Sequence, residues 1–191
     1  MQLREKRVSM KKVVDIAHDI LRHYGLHGTV ADFTLGAGHD CAMLMGESNV
    51  EKVYAFDVQE KAIQDAKQFL YDQKGYEKVT FILAGHEHAK EYIKEPLSAG
   101  IFNFGFYPKG DHQITTIVDT SKQAVQDALE LLTIGGILVL VLYPGHAQGK
   151  MESQYFDQWI KTLPSKYYDC ACIQMSNKAL CPYIQIIEKK R

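Results

Sequence analysis

Seven short β-rich runs, the first five separated by helical patterns, constrain this chain more than any other feature. They are "TVADF", "KVYAFDV", "KVTFILA", "AGIFNFGF", "GILVLVLY", "YDCACIQM" and "PYIQIIEK", each bounded by turn residues. Between them Ala62, Ile63, Ala66, Phe69 and Leu70 recur at helical spacing, as do Val125, Ala128, Leu129 and Leu132. Strands joined through helices pair in parallel, so the pattern predicts an α/β doubly wound sheet. Only a short connection separates the last two runs, and a hairpin there sets the final strand antiparallel. Two more helices are expected. One spans about residues 9–24, on Met10, Val13, Val14, Ala17, Ile20, Leu21 and Tyr24 with Gly25 as its stop, and the other lies in "MESQYFDQWIKTL".

At 191 residues, 46% hydrophobic and 24% charged, the chain suits a single domain over residues 1–191. No apolar run approaches the roughly 18 residues of a membrane span, and the basic start lacks an apolar core with a cleavage site. A cytoplasmic protein without membrane contact is expected. Cys41, Cys170, Cys172 and Cys181 form no CxxC pair, which points to reduced thiols and no zinc site. A net charge of -1 gives no global attraction to nucleic acid, so RNA contact must rest on a local patch. The candidates are Arg4, Lys6, Arg7, Lys11 and Lys12, which equally suit a solvated face.

In a doubly wound sheet the ligand lies beyond the carboxyl ends of the strands, nearest the first strand-to-helix turn. Here that turn is "DFTLGAGHD", with Gly36 and Gly38 baring the backbone and Asp40 placed to begin the next helix. Asp57 ends the second strand, 25 residues after Asp32, where an acid can accept both hydroxyls of an adenosine ribose. Nicotinamide dinucleotides and S-adenosylmethionine share that device. A dinucleotide turn needs a third glycine for its pyrophosphate, but Cys41 occupies that slot, and Asp32 and Asp40 would repel the phosphates. The same acids suit the sulfonium and ammonium of S-adenosylmethionine. Gly85, His86 and Glu87, after the third strand, are expected near the adenine. His86, Glu87 and His88 lack the spacing of a zinc motif, and no metal is expected.

Two more loops reach the same rim. "FNFGFYPKGD" brings Asn103, Tyr107, Lys109 and Asp111, which packing alone explains poorly, whereas Phe102 and Phe104 suit a core. "YPGHAQG" brings Tyr143 and His146. Methyl transfer from a sulfonium is an in-line displacement that mainly requires positioning. An amine acceptor must be neutral when it attacks, so His146 and Asp111 are the candidate bases. The Asn103 carbonyl can orient an N–H, and Tyr107 or Tyr143 can stack on a base or hydrogen-bond the acceptor.

On "DFTLGAGHD", "FNFGFYPKGD" and "YPGHAQGKMES" the chain closely resembles the small bacterial methyltransferases long labelled rRNA methylases. Their D-A-T-x-G-x-G-x-D turn, F-N-x-G-Y-x-P-x-G-D loop and Y-P-G-H segment have counterparts here in the same order. By position, Asp32, Thr34, Gly36, Gly38, His39 and Asp40 fall in the cofactor turn, and Asp57, Val58 and Gln59 at the ribose-binding strand end. Asn103, Gly105, Pro108, Gly110 and Asp111 match the loop, and Tyr143, Pro144, Gly145 and His146 the later segment. Phe33 stands for the usual alanine, Ala37 and His39 for commoner polar or small residues, and Phe106 with Tyr107 for a Tyr-Leu pair. The resemblance implies a Rossmann-like class I S-adenosylmethionine-dependent methyltransferase, with a seven-stranded, mostly parallel sheet and an antiparallel last strand. It further implies methylation of 5-aminomethyl-(2-thio)uridine at tRNA wobble position 34, S-adenosylhomocysteine as by-product, and contact with the anticodon stem-loop. Read from the residues alone, an rRNA or small-metabolite methyltransferase, an NAD-linked oxidoreductase and an inactive binding module stay open. So does the oligomeric state, a homodimer among the options.

Overall fold

A computed structural model of the chain describes residues 11–111 and 114–191. Arg4, Lys6 and Arg7 of the basic cluster lie outside the described residues. The elements follow as α1 (Val13–His23), β1 (Gly28–Asp32), α2 (His39–Gly46), β2 (Val50–Asp57), α3 (Glu60–Leu70), β3 (Val79–Leu83) and α4 (Ala89–Tyr92). Then come β4 (Leu97–Asn103), α5 (Val118–Leu131), β5 (Leu132–Leu142), α6 (Ala147–Trp159), β6 (Tyr168–Ile173) and β7 (Tyr183–Lys189).

All seven strands form one sheet in the order β3-β2-β1-β4-β5-β7-β6. The pairs from β3 to β5 are parallel, and β7 runs antiparallel to both β5 and β6, as the short final connection requires. Strand order reverses between β1 and β4, which opens the crevice where a ligand can lie. The central strands are covered on both faces, so they read as apolar runs: β4 is buried from Leu97 to Phe102.

Three expectations are corrected. The first helix, expected from about residue 9, begins at Val13, and Lys12 before it is extended. Leu132 does not end a helix; it opens β5, where it pairs with Leu97, and the chain leaves α5 one residue earlier. The helix expected in "MESQYFDQWIKTL" begins at Ala147, four residues before Met151, and closes in a single 3₁₀ turn at Ile160–Thr162. Its earlier start has a capping cause, described below.

Behind the turn lies a file of rings. Phe33 stacks on Phe102 with centroids 4.3 Å apart, Phe102 on Phe104 at 5.3 Å, and Phe104 on Phe156 at 5.3 Å. The large residue at position 33 is accommodated by Gly100 in β4, where a Cβ would come within 2.7 Å of the Phe33 ring and 2.8 Å of Leu138. The file is fully buried, and a ring lost from such a place costs about 3–5 kcal/mol.

Candidate functional site

The crevice at the β1/β4 reversal is a cavity of about 1150 Å³, walled by α1, the β1–α2 turn, the ends of β2 and β3, and the loops after β4 and β5. It is large enough for a nucleoside-sized molecule with room to spare.

The two glycines of the turn have separate tasks. Gly36, at φ +50°, faces the cavity, and a side chain there would meet nothing closer than 3.7 Å inside the protein. Gly38, at φ +84°, caps α2 and faces away; an added Cβ would press on Ala66 and Leu70 at 3.2 Å. Gly38 and not Asp40 therefore begins the helix, because only a left-handed residue turns the chain there without strain. His39 lies on the cavity wall and meets the Phe69 ring edge-on at 4.9 Å.

Asp57 holds the turn from the second strand. Its Oδ2 accepts the Gly36 N–H at 2.9 Å and its Oδ1 the Gln59 N–H at 2.9 Å, and the carboxylate still lines the cavity. Burial pushes its carboxyl above the usual range, opposed by those backbone donors. Val58 lies exposed on the same wall, and the Gln59 side chain turns instead toward the loop after β4, accepting the Asp111 N–H at 2.9 Å.

Asp32 is fully buried behind the turn and off the cavity wall. Its Oδ1 accepts the Thr34 N–H at 3.1 Å, and its Oδ2 has no hydrogen-bond partner among the described residues. Burial and then the charge of Asp40 push its carboxyl well above the ordinary 3.8, and Asp57 adds to the effect. Three acids thus repel one another around one bend, an arrangement that a cationic ligand relieves.

At the third strand end, Gly85, His86 and Glu87 line the cavity. The buried His86 ring lies 3.2 Å from the Phe33 carbonyl through Nδ1, and burial lowers its pKa, so it is neutral at pH 7. Among the described residues no group of three or more His, Cys, Asp or Glu could hold a metal ion.

A hydrogen-bonded chain crosses the cavity floor. His18, from α1, meets Asp40 Oδ1 through Nε2 at 2.6 Å, and Asn103 Nδ2 donates to Asp40 Oδ2 at 3.2 Å. Tyr143 lines the same part of the cavity, and its hydroxyl pKa is pushed up to about 12 by burial and by the Asp40 charge, with Asn103 opposing the shift. The Asn103 N–H is held by Thr34 Oγ1 at 2.7 Å, which ties β4 to the turn.

The loop after β4 hangs from buried Glu152 on α6. Glu152 accepts the Thr116 hydroxyl at 2.8 Å and the Ser121 hydroxyl at 2.5 Å, and Thr116 in turn accepts the Gly105 N–H at 3.0 Å. Burial pushes the Glu152 carboxyl up. Tyr107 is buried, with its hydroxyl donated to Asp65 on α3 at 2.7 Å, so that hydroxyl is engaged within the fold and not presented to an acceptor. Desolvation, then Asp65, pushes its pKa up to about 12. Asp111 is exposed and off the cavity wall, which removes it as a base inside the cavity.

His146 lines the cavity, 6.1 Å from the Phe106 ring, and caps α6: its Nδ1 accepts the Gly149 N–H at 3.1 Å. That cap is why α6 starts at Ala147. With Nδ1 engaged as an acceptor, the neutral ring carries its proton on Nε2. His146 therefore lies on the cavity wall with an Nδ1 lone pair that is not free to take a proton.

His18, Asp65 and Glu152 were not singled out by the sequence. His18 sits beside Ala17 in the periodic face of α1, Asp65 in the α3 pattern, and Glu152 in the quoted "KMES"; only the tertiary contacts give them their places.

Residues 53–189 match the family described as "Putative rRNA methylase". This chain belongs to that family. It is 34% identical to a structure described as a putative rRNA-methylase from Clostridium thermocellum, covering 95% of this chain and 100% of that one at a TM-score of 0.89. It is 31% identical to a putative methyltransferase from Streptococcus mutans in complex with SAH, covering 95% and 99% at a TM-score of 0.83. Among curated proteins it is 30% identical to a chloroplastic tRNA (mnm(5)s(2)U34)-methyltransferase from Arabidopsis thaliana, over 94% of this chain and 70% of that protein. The bare backbone at Gly36, the cavity-lining acid Asp57 and the cluster of Asp32, Asp40 and Asp57 fit a cationic adenosyl donor. The family member described here is an S-adenosylmethionine-dependent methyltransferase with a Rossmann-like fold. No helix among its described residues is long and apolar enough to cross a membrane.

Proposed function

We propose that this methyltransferase acts on tRNA, N-methylating the 5-aminomethyl group of (2-thio)uridine at wobble position 34 to give the 5-methylaminomethyl nucleoside. The observation that carries this reading is the orientation of Asn103. Its amide nitrogen is engaged on Asp40, and its carbonyl oxygen, which accepts from no described residue, is the atom left to meet a ligand. An acceptor-only group at that point favours a substrate that brings an N–H. The curated relative, whose name specifies a modified wobble uridine, supports the same acceptor, and the family description supports an RNA.

S-adenosylmethionine supplies an activated methyl group on a sulfonium. Asp57 would accept its ribose hydroxyls, and the Gly36 backbone and the acid-lined turn would hold its methionine end. On the acceptor side Asn103 fixes the nitrogen along the line of attack, and Phe106 offers a partly exposed ring on which a uracil can stack. His146 lines the same cavity. Lys12 and Lys109, both on the cavity wall, are placed to meet phosphates of an anticodon stem-loop.

Labelled methyl transfer to tRNA with and without the aminomethyl group tests this. Incorporation only into the aminomethyl-bearing tRNA is expected; labelling of rRNA in preference to it would overturn the tRNA assignment.

A further inference from the structure

The proposed acceptor nitrogen carries an ammonium charge at neutral pH and must lose a proton before it can attack. The two bases read from the sequence do not serve: Asp111 lies off the cavity wall, and the His146 lone pair is held by the Gly149 N–H. We propose that His18 is the proton acceptor for that nitrogen, with Asp40 orienting its ring; the proposal rests on the amine-acceptor reading above.

Three observations carry it. First, His18 lines the cavity with a side chain 15% exposed, shielded yet open to a ligand. Second, its tautomer is fixed. Asp40 receives the Asn103 amide on Oδ2 and the His18 ring on Oδ1 at 2.6 Å, and an ionised carboxylate only accepts, so His18 Nε2 is the donor. The neutral ring then carries its lone pair on Nδ1, which makes no hydrogen bond to any described residue. Third, one carboxylate holds both the imidazole and the amide, so the proposed base and the group that orients the acceptor are positioned together. This is the reverse of His146, whose free nitrogen bears the hydrogen.

In the step itself, one N–H proton of the ammonium passes to His18 Nδ1, which frees the nitrogen lone pair. That pair forms the N–CH₃ bond as the S–CH₃ bond breaks, and its electrons return to sulfur, leaving a thioether. His18 then releases its proton to solvent through the cavity mouth, while Asp40 stays hydrogen-bonded to the ring throughout. The charged and titratable groups around His18 are Lys12, just before α1, Asp15 and Asp19 on α1, Asp40 on α2 and Tyr143 after β5.

The test follows methyl transfer to aminomethyluridine-bearing tRNA by the wild type, His18→Gln and His18→Asn from about pH 6 to about pH 10, with S-adenosylhomocysteine binding measured by calorimetry in each protein. The expected result is a kcat about 10²- to 10⁴-fold lower near pH 7, a deficit that shrinks as rising pH supplies the free amine, and unchanged ligand affinity. A pH-independent deficit, full activity, or loss of ligand binding would each overturn the assignment of His18, even with the wild type active. Absence of transfer by the wild type would instead overturn the acceptor reading, and His18 as base with it. Should both variants fail to fold, the wild-type profile decides: an acid limb in kcat well below the acceptor amine's own pKa supports a titrating base, and one that coincides with the amine's pKa contradicts it.

Discussion

On the donor side of the cavity the holding is done by main chain and buried acids. The Gly36 and Gln59 amides bond Asp57, Thr34 bonds Asp32, and every one of those partners follows from a strand end meeting a turn. On the acceptor side it is done by side chains that reach across the fold: Glu152 from α6 suspends the loop after β4, His18 from α1 secures Asp40, and Tyr107 is tied to Asp65 on α3. A binding half built on local backbone geometry is difficult to alter without losing the ligand. A half built on long-range side-chain contacts can change its acceptor while the fold stays intact.

Substitutions can break that contrast. The largest effect is expected from Asp57→Ala, which removes two charge-assisted hydrogen bonds to the turn at about 1.5–3 kcal/mol each and should weaken S-adenosylhomocysteine binding at least tenfold by calorimetry. Unchanged affinity would show that the donor is not held from β2. Glu152→Ala leaves the Thr116 and Ser121 hydroxyls without their acceptor, at about 1–3 kcal/mol of stability. In kinetics it should raise KM for tRNA and lower kcat while donor affinity holds; an equal loss on both sides would erase the distinction between the halves. His146→Ala should cost about 1 kcal/mol through the lost helix cap and slow turnover, with donor affinity nearly intact. His146→Asn should restore the thermal stability, since asparagine caps equally well, but not the full rate. Full activity of the alanine variant would remove His146 from the acceptor side.

The smallest effect is a pH dependence. Asp32, Asp57 and Glu152 all have carboxyl pKa values raised by burial, so the folded chain takes up protons before the unfolded chain does. Their contribution to stability therefore grows as pH falls from neutral toward the unfolded carboxylate value of about 4, and is lost as pH rises through their raised values. A cationic donor prefers the ionised acids, so donor affinity should fall over the same acid range in which the ligand-free melting temperature does not. Parallel decline of both, followed by calorimetry and thermal melts, would mean that the acids play no part in donor binding.

How much of this the sequence disclosed follows the same division. The seven strands, the crossover helices and the antiparallel last strand were legible because apolar runs and turn residues are local signals. So were Gly36 and Asp57, whose places follow from strand ends. Asp32 was read as a ligand-facing acid, but the fold puts it behind the turn, and Gly38 was grouped with Gly36 although it packs against α3; direction at a turn depends on a few dihedral angles that composition does not encode. Leu132 fits a helical period yet pairs with Leu97 because β4 offers it a register partner. On the acceptor side, His146 was found as a residue but misjudged as a base, since its tautomer depends on a hydrogen bond from Gly149. His18 and Glu152 carried no local mark, because their partners lie 22 and more than 30 residues away along the chain.

Calorimetric titration of the ligand-free protein with S-adenosylhomocysteine and, separately, with NAD tests most directly whether the acid-lined turn selects an adenosyl donor over a diphosphate. The account predicts saturable heat with the first that depends on Asp57, and none with the second. Saturable binding of NAD without binding of S-adenosylhomocysteine would contradict it.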